Sequence, residues 1–327
     1  MEPFASPHNL DKELHSLLLE ASSNLCDWFA DTGRQFPIPD SFDLPEISPE
    51  MEGLSNQVLL KELKLLMNGS YRPSHPGALA HLDPPPLSAS IVGELICSGL
   101  NNNLLAEELS PSLSSLERNL CKWFCKRLGL GNLSGGVAAS GGSLSNLMAL
   151  VMARNIAGLE SDPNAIFFAS DDCHVSFSKA FRIMGLKQES FQKIPTDEKG
   201  SLDISRLSSR LKKIKSEGKK CFAVVATLGT TVRGALDSVS EIAKLCKKEK
   251  IWLHVDGAIG GIFGISKVTS QIIKGLATAD SITVNPQKLL GIAKTSSLLL
   301  VANQNHLSST FATGLPYTES VSGNEFH

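Results

Sequence analysis

Apolar positions along the chain fall into two textures. Up to about residue 128 they recur at helical spacing, over 10–29, 56–67, 89–100 and 111–128. Residues 37–49, rich in Pro, Asp and Ser, read as a connector, and SHPGALAHLDPPPL (74–87) carries too much proline for regular structure. In the fourth helix Ser110 is the expected N-cap, Pro111 the first helical residue and Gly129 the stop. From about residue 135 the texture changes. Short runs rich in Val, Ile, Phe and Ala (165–169, 221–227, 251–256, 281–284, 296–301, with another near 137–139) alternate with amphipathic stretches at 144–157, 176–185, 204–216 and 239–248. Continuous apolar strands separated by helices predict a mostly parallel sheet covered on both faces. The fold class is therefore α/β, with its core in roughly 135–305.

Composition sharpens this picture without redirecting it. At 327 residues the chain has room for one large domain with an appendage, or for two domains. Hydrophobic residues make up 42% and charged residues 20%, enough to bury a core and unlike a disordered chain. The net charge of −2 gives no reason to expect nucleic acid or an anionic membrane as partner. No apolar run reaches membrane-spanning length, and MEPFASPHNLDKELH lacks the basic-then-apolar start of a secretory signal. The seven cysteines (26, 97, 121, 125, 173, 221, 246) form an odd, scattered set, and Cys121 and Cys125 have no second pair to complete a zinc site. They are expected as buried, reduced thiols of a cytoplasmic protein.

In open α/β sheets the working residues lie just past the carboxyl ends of strands. SGGSLSN (140–146) follows the first run, where glycines and a helix N-terminus favour an anion. His174 follows AIFFASDD, LGTTVRGALD (228–237) follows CFAVVAT, Asp256 ends IWLHVD, and Lys288 follows SITVNPQ. Each has a plain reading: a permissive turn, a polar strand end, a capped turn, a solvated lysine. Only the acid is awkward, because a carboxylate ending an apolar strand is costly unless it meets a cation. The glycine spacing matches neither a dinucleotide fingerprint nor a P-loop.

Taken in order, the blocks SGGSLSNLMAL, CHVSFSKA, GTTVRGALD, WLHVDGAIGG and DSITVNPQK resemble those of the pyridoxal-phosphate (PLP) dependent group II amino-acid decarboxylases. AHLDPPPL (80–87) and LNNNLLAEELSPSLSSLE (100–117) resemble that family too, and the likeness runs over roughly 70–318. The resemblance implies a fold type I, PLP-transferase-like large domain with a seven-stranded sheet. It implies a helical segment at 1–72, the PLP domain at 73–312, and at 313–327 the start of a mobile catalytic loop, with the family's small C-terminal domain not in the sequence. It further implies Lys288 as the Schiff-base lysine, Asp256 at the pyridine nitrogen and His174 on the ring face. Gly142, Ser143 and Asn285 would hold the phosphate, Thr231 would touch the cofactor, and Ala258 would stay small beside the ring.

The implied reaction is loss of CO₂ from an L-amino acid, with electrons taken up by the pyridinium. Tyr317 stands where the family's loop tyrosine returns a proton to Cα, and His81 in AHLDPPPL is a candidate substrate residue on the glutamate- and diaminobutyrate-type side of the family. A homodimer is implied as well. Two departures stand out: Gln287 where the family has His before the lysine, expected to weaken phosphate or catalytic contacts, and Gly257 where it has Ala, expected to be harmless. Another PLP activity, or a shortened PLP-binding relative with little activity, remains the alternative.

Overall fold

A computed structural model describes residues 4–40, 51–79, 81–82 and 84–312, and the chain divides into a first unit, 1–85, and a second, 86–327. The first unit pairs helices α1 (Lys12–Asp31) and α2 (Asn56–Asn68). Each starts on a capping side chain, Asp11 accepting from the Leu14 N–H and Ser55 from the Val58 N–H, which satisfies a donor that the first helical turn leaves without a partner. Arg72 anchors the unit. It is buried, its guanidinium lies 4.7 Å over the Trp28 ring, and it donates to the Trp28 carbonyl and to Thr32 Oγ1.

The second unit opens with α3 (Ser88–Leu100) and α4 (Pro111–Leu128). Gly129 ends α4 in the left-handed conformation expected of it, at φ 80°. Ser110 occupies the N-cap position but does not cap: its hydroxyl points to Asn102 Oδ1 at 3.5 Å.

A seven-stranded sheet follows: β1 (Gly135–Ala139), β2 (Ile166–Ser170), β3 (Phe191–Ile194), β4 (Cys221–Thr227), β5 (Trp252–Gly257), β6 (Ser281–Val284) and β7 (Ser297–Val301). Their spatial order is β1-β7-β6-β5-β4-β2-β3. Only β7 runs against its neighbours, so the other six point their carboxyl ends to one edge. Six strands coincide with the apolar runs. β3 does not: FQKI is short, polar and at the sheet's margin, where an edge strand needs only one apolar face.

Alternation along β2 shows why the strands look apolar throughout. Ile166 and Phe168 enter one core with α4, α7 (Ile204–Ser216) and α8 (Val239–Glu249), while Phe167 and Ala169 enter a second with α5 (Gly142–Ile156), α6 (Ser176–Ile183) and α9 (Asn305–Phe311). The cysteines are free, but they are not uniformly buried. Cys121, Cys125 and Cys246 are, whereas Cys26 and Cys97 lie exposed on the half-covered helices α1 and α3. Among the described residues no helix is long and apolar enough to cross a membrane.

Candidate active site

The carboxyl ends of β1, β4, β5 and β6 open on a cavity of about 470 Å³. Gly142, Ser143, His174, Thr231, Asp256, Ala258, Asn285 and Lys288 all line it, so residues spread over nearly 150 positions meet in one place. His81 lies in the first unit, exposed, with a left-handed backbone at φ 70°. Tyr317 falls outside the described residues.

One end of the cavity is built for an anion. Helix α5 begins at Gly142, two residues before the hydrophobic periodicity suggests, so Gly142 and Ser143 are its first residues and their N–H groups have no carbonyl within the helix. A Cβ on Gly142 would sit 2.7 Å from Asn285 Nδ2, so only glycine admits this approach. Ser297 Oγ donates to Asn285 Oδ1 (2.7 Å) and accepts from Ser145 Oγ (2.8 Å). With its oxygen so engaged, Asn285 turns its NH₂ donors toward the cavity.

The other end is built for a basic ring. Asp256 is buried on β5, where Oδ1 accepts from the Ala258 N–H and Oδ2 from Asn146 Nδ2, each at 3.1 Å. The neighbouring Thr227 Oγ1 is buried on the cavity wall with no hydrogen-bond partner among the described residues, an orphan that a bound polar group would satisfy. His174 is half-buried. Desolvation, with Lys288 adding to it, holds its imidazole below the usual histidine range against the opposing pull of Asp256. An anion cradle, a buried carboxylate, an aromatic wall and a lysine together fit a phosphorylated pyridine aldehyde.

Several members of the site are not singled out by sequence reasoning. Asn146 and Thr227 line the cavity, and His254 lies fully buried behind it. Signals existed: an asparagine inside a helix disfavours it, and a histidine in an apolar strand needs partners. The two departures also find their places. Gln287 lines the cavity and its Oε1 accepts from the Ser296 N–H, tying the Lys288 loop to the start of β7. Gly257 is not a harmless exchange, because a Cβ there would lie 2.9 Å from the Thr283 carbonyl oxygen and 3.1 Å from Gly261 Cα.

Comparison with known proteins agrees with this geometry. A family model described as the pyridoxal-dependent decarboxylase conserved domain matches residues 43–324. The chain is 35% identical over 238 residues to an aromatic-L-amino-acid decarboxylase of Bacillus atrophaeus, covering 72% of this chain and 49% of that protein. It is 30% identical to the cysteine sulfinic acid decarboxylase of Rattus norvegicus, covering 88% and 58%. Among solved structures, mouse CSAD in apo form superposes with a TM-score of 0.86 at 27% identity, covering 92% of this chain and 67% of that one. Oryza sativa TDC with PLP and tryptamine gives 0.85 at 25% identity, covering 96% and 68%. The chain spans about half the length of the curated relatives it matches.

Proposed function

This chain belongs to the pyridoxal-dependent decarboxylase family, and we propose that it binds PLP in the cavity at the carboxyl edge of its sheet and takes part in decarboxylating an L-amino acid. The observation carrying this reading is the convergence of Gly142, Ser143, His174, Thr231, Asp256, Ala258, Asn285 and Lys288 on one cavity.

Each residue then has a task. The first N–H groups of α5, with the Asn285 amide, would hold the phosphate. Asp256 would hold the ring nitrogen, and its buried charge favours the protonated ring. His174 would cover one ring face, Thr231 would contact the cofactor, and Ala258 keeps the wall low enough to admit it. Lys288 would hold the aldehyde until a substrate amine takes its place, which leaves the lysine amine beside the reacting carbon. When bound, PLP supplies the electron sink that accepts the pair left as the substrate carboxylate departs. Tyr317 would return a proton to Cα and His81 would meet the substrate. We assign the PLP domain to 73–312, after a helical segment at 1–72. The working form is proposed as a cytoplasmic homodimer, supported by the exposed apolar side chains Val92, Leu95, Ile96, Leu116 and Leu120 on α3 and α4.

The test incubates the purified chain with PLP and a panel of acidic, basic and aromatic amino acids. CO₂ release from one of them, lost in Lys288→Ala together with PLP that borohydride fixes to the wild-type chain, supports the reading. Accumulation of pyridoxamine phosphate points to transamination. PLP bound with no CO₂ from any substrate leaves a cofactor-binding relative, and no PLP bound at all overturns the proposal.

A further inference from the structure

Behind the cavity wall a chain of hydrogen bonds runs from β5 to the site, and chemistry fixes the direction of every link. Trp252 Nε1–H can only donate, and it donates to Ser281 Oγ at 2.8 Å. Ser281 Oγ bonds His254 Nδ1 at 2.9 Å, and His254 Nε2 bonds Asn146 Oδ1 at 3.0 Å. Asn146 Nδ2 then donates to Asp256 Oδ2 and to Ser176 Oγ, both at 3.1 Å. Ser176 Oγ lies 2.9 Å from His174 Nδ1, which also accepts from the Ser176 backbone N–H.

Two independent arguments orient the Asn146 amide. A flipped amide would aim its oxygen at the Asp256 carboxylate. It would also aim at Ser176, whose only hydroxyl proton is needed by a His174 Nδ1 that already accepts from a backbone N–H. With Asn146 Oδ1 facing His254, Nε2 of His254 must carry the proton and its Nδ1 must accept from Ser281. The donors therefore point one way: Trp252 to Ser281 to His254 to Asn146, and from there to Asp256 and, through Ser176, to His174. His254, Asn146, Ser176 and Ser281 are all nearly or fully buried, so no water competes for these bonds.

We infer that Asn146 is the positioning residue of this site, one amide that holds the Asp256 carboxylate and, through the Ser176 hydroxyl, the edge of His174, with its direction set by His254, Ser281 and Trp252 behind it. The two contacts it makes belong to opposite tasks, ring nitrogen and ring face, so it keeps them in register. His174 is left with its proton on Nε2. The consequence for a bound ring rests on the PLP reading above; the hydrogen-bond polarity does not.

The test uses the full chain with ¹⁵N-labelled histidine, first without PLP and then loaded with ring-¹⁵N PLP, as wild type, Asn146→Leu and Trp252→Phe. In the wild type the histidine shifts should show Nε2–H for both His254 and His174. Asn146→Leu should shift the His174 Nδ1 resonance as the Ser176 hydroxyl turns away, move the ring nitrogen of bound PLP toward its unprotonated shift, and weaken PLP binding by roughly tenfold or more, as loss of a supporting hydrogen bond does at other sites. Trp252→Phe removes the first donor without touching the wall of this cavity, and should shift His254 and the ring nitrogen in the same direction by less. It also carries the decision if Asn146→Leu does not fold. An Nδ1–H tautomer on His254 in the wild type overturns the inference. So does an Asn146→Leu chain whose His174 Nδ1 resonance and PLP ring shift are unchanged while its melting temperature falls, because that is a packing role. If no PLP binds, the function reading fails while the tautomer measurements still decide this one.

Discussion

Two cavities of the second unit lie at opposite edges of its sheet, and the larger of the two is the poorer in chemistry. About 650 Å³ opens near the amino ends of β4 and β5, among Phe222, Trp252, Ala243, Lys244, Lys247 and Asp280. The cavity of about 470 Å³ at the carboxyl ends has a buried carboxylate, an orphaned hydroxyl, a helix N-terminus and Lys288 converging on it. The difference follows from strand direction. Parallel strands put helix N-termini, with their unpaired N–H groups and positive dipole ends, at the carboxyl edge, so an anionic ligand is drawn to that edge alone. At the other edge α8 ends in Lys247 and Lys248, which complement a helix C-terminus and need no ligand to explain them. Volume is a by-product of packing; convergence of groups with fixed directions is what marks a site.

This contrast can be broken in graded ways. Lys288→Ala should abolish the chemistry of the smaller cavity, with CO₂ release down on the order of 10³-fold or more and the fold retained by circular dichroism. Phe167→Ala strikes the core and the wall of neither cavity, because this fully buried ring stacks 4.7 Å from Phe191 and packs on Phe222. It should cost about 3–5 kcal/mol in urea unfolding.

Acid should reach the site through its supports. Burial takes His254 down to about 4 from a normal 6.5. Between those values the unfolded chain binds a proton that the fold refuses, so stability is lost as pH falls, by about 3 kcal/mol for this residue. Asp237, raised by burial to about 6 from 3.8, works the other way and loses its contribution as pH rises through that range. The two slopes oppose each other in the wild type. Asp237→Asn should therefore make the urea midpoint fall more steeply between pH 6.5 and 4.5, and an unchanged slope would refute the assignment.

A smaller effect comes from Gly257→Ala. The added methyl meets the Thr283 carbonyl, so this change should cost about 1–3 kcal/mol despite being the family's own residue. Smallest of all, Lys247→Glu on the rim of the larger cavity should move stability by less than about 0.5 kcal/mol and leave PLP affinity untouched.

The sequence by itself determined the α/β class, six of the seven strands, helices α4 and α7 from first residue to last, and eight of the residues that line the smaller cavity. Those are local or ordered signals: strands buried on both faces must be apolar, and chemistry at strand ends must follow each apolar run. It did not yield β3, whose edge position relaxes its pattern, nor the start of α5 at Gly142, where glycine hides a helix. It also did not yield Asn146, Thr227 and His254 as members of the site. Their importance depends on which side chains face each other across β5 and α5, separated by 108 and 110 positions in the bonds that join them. Periodicity places a residue on a face, but only the tertiary structure decides what that face meets and which way each hydrogen bond must run.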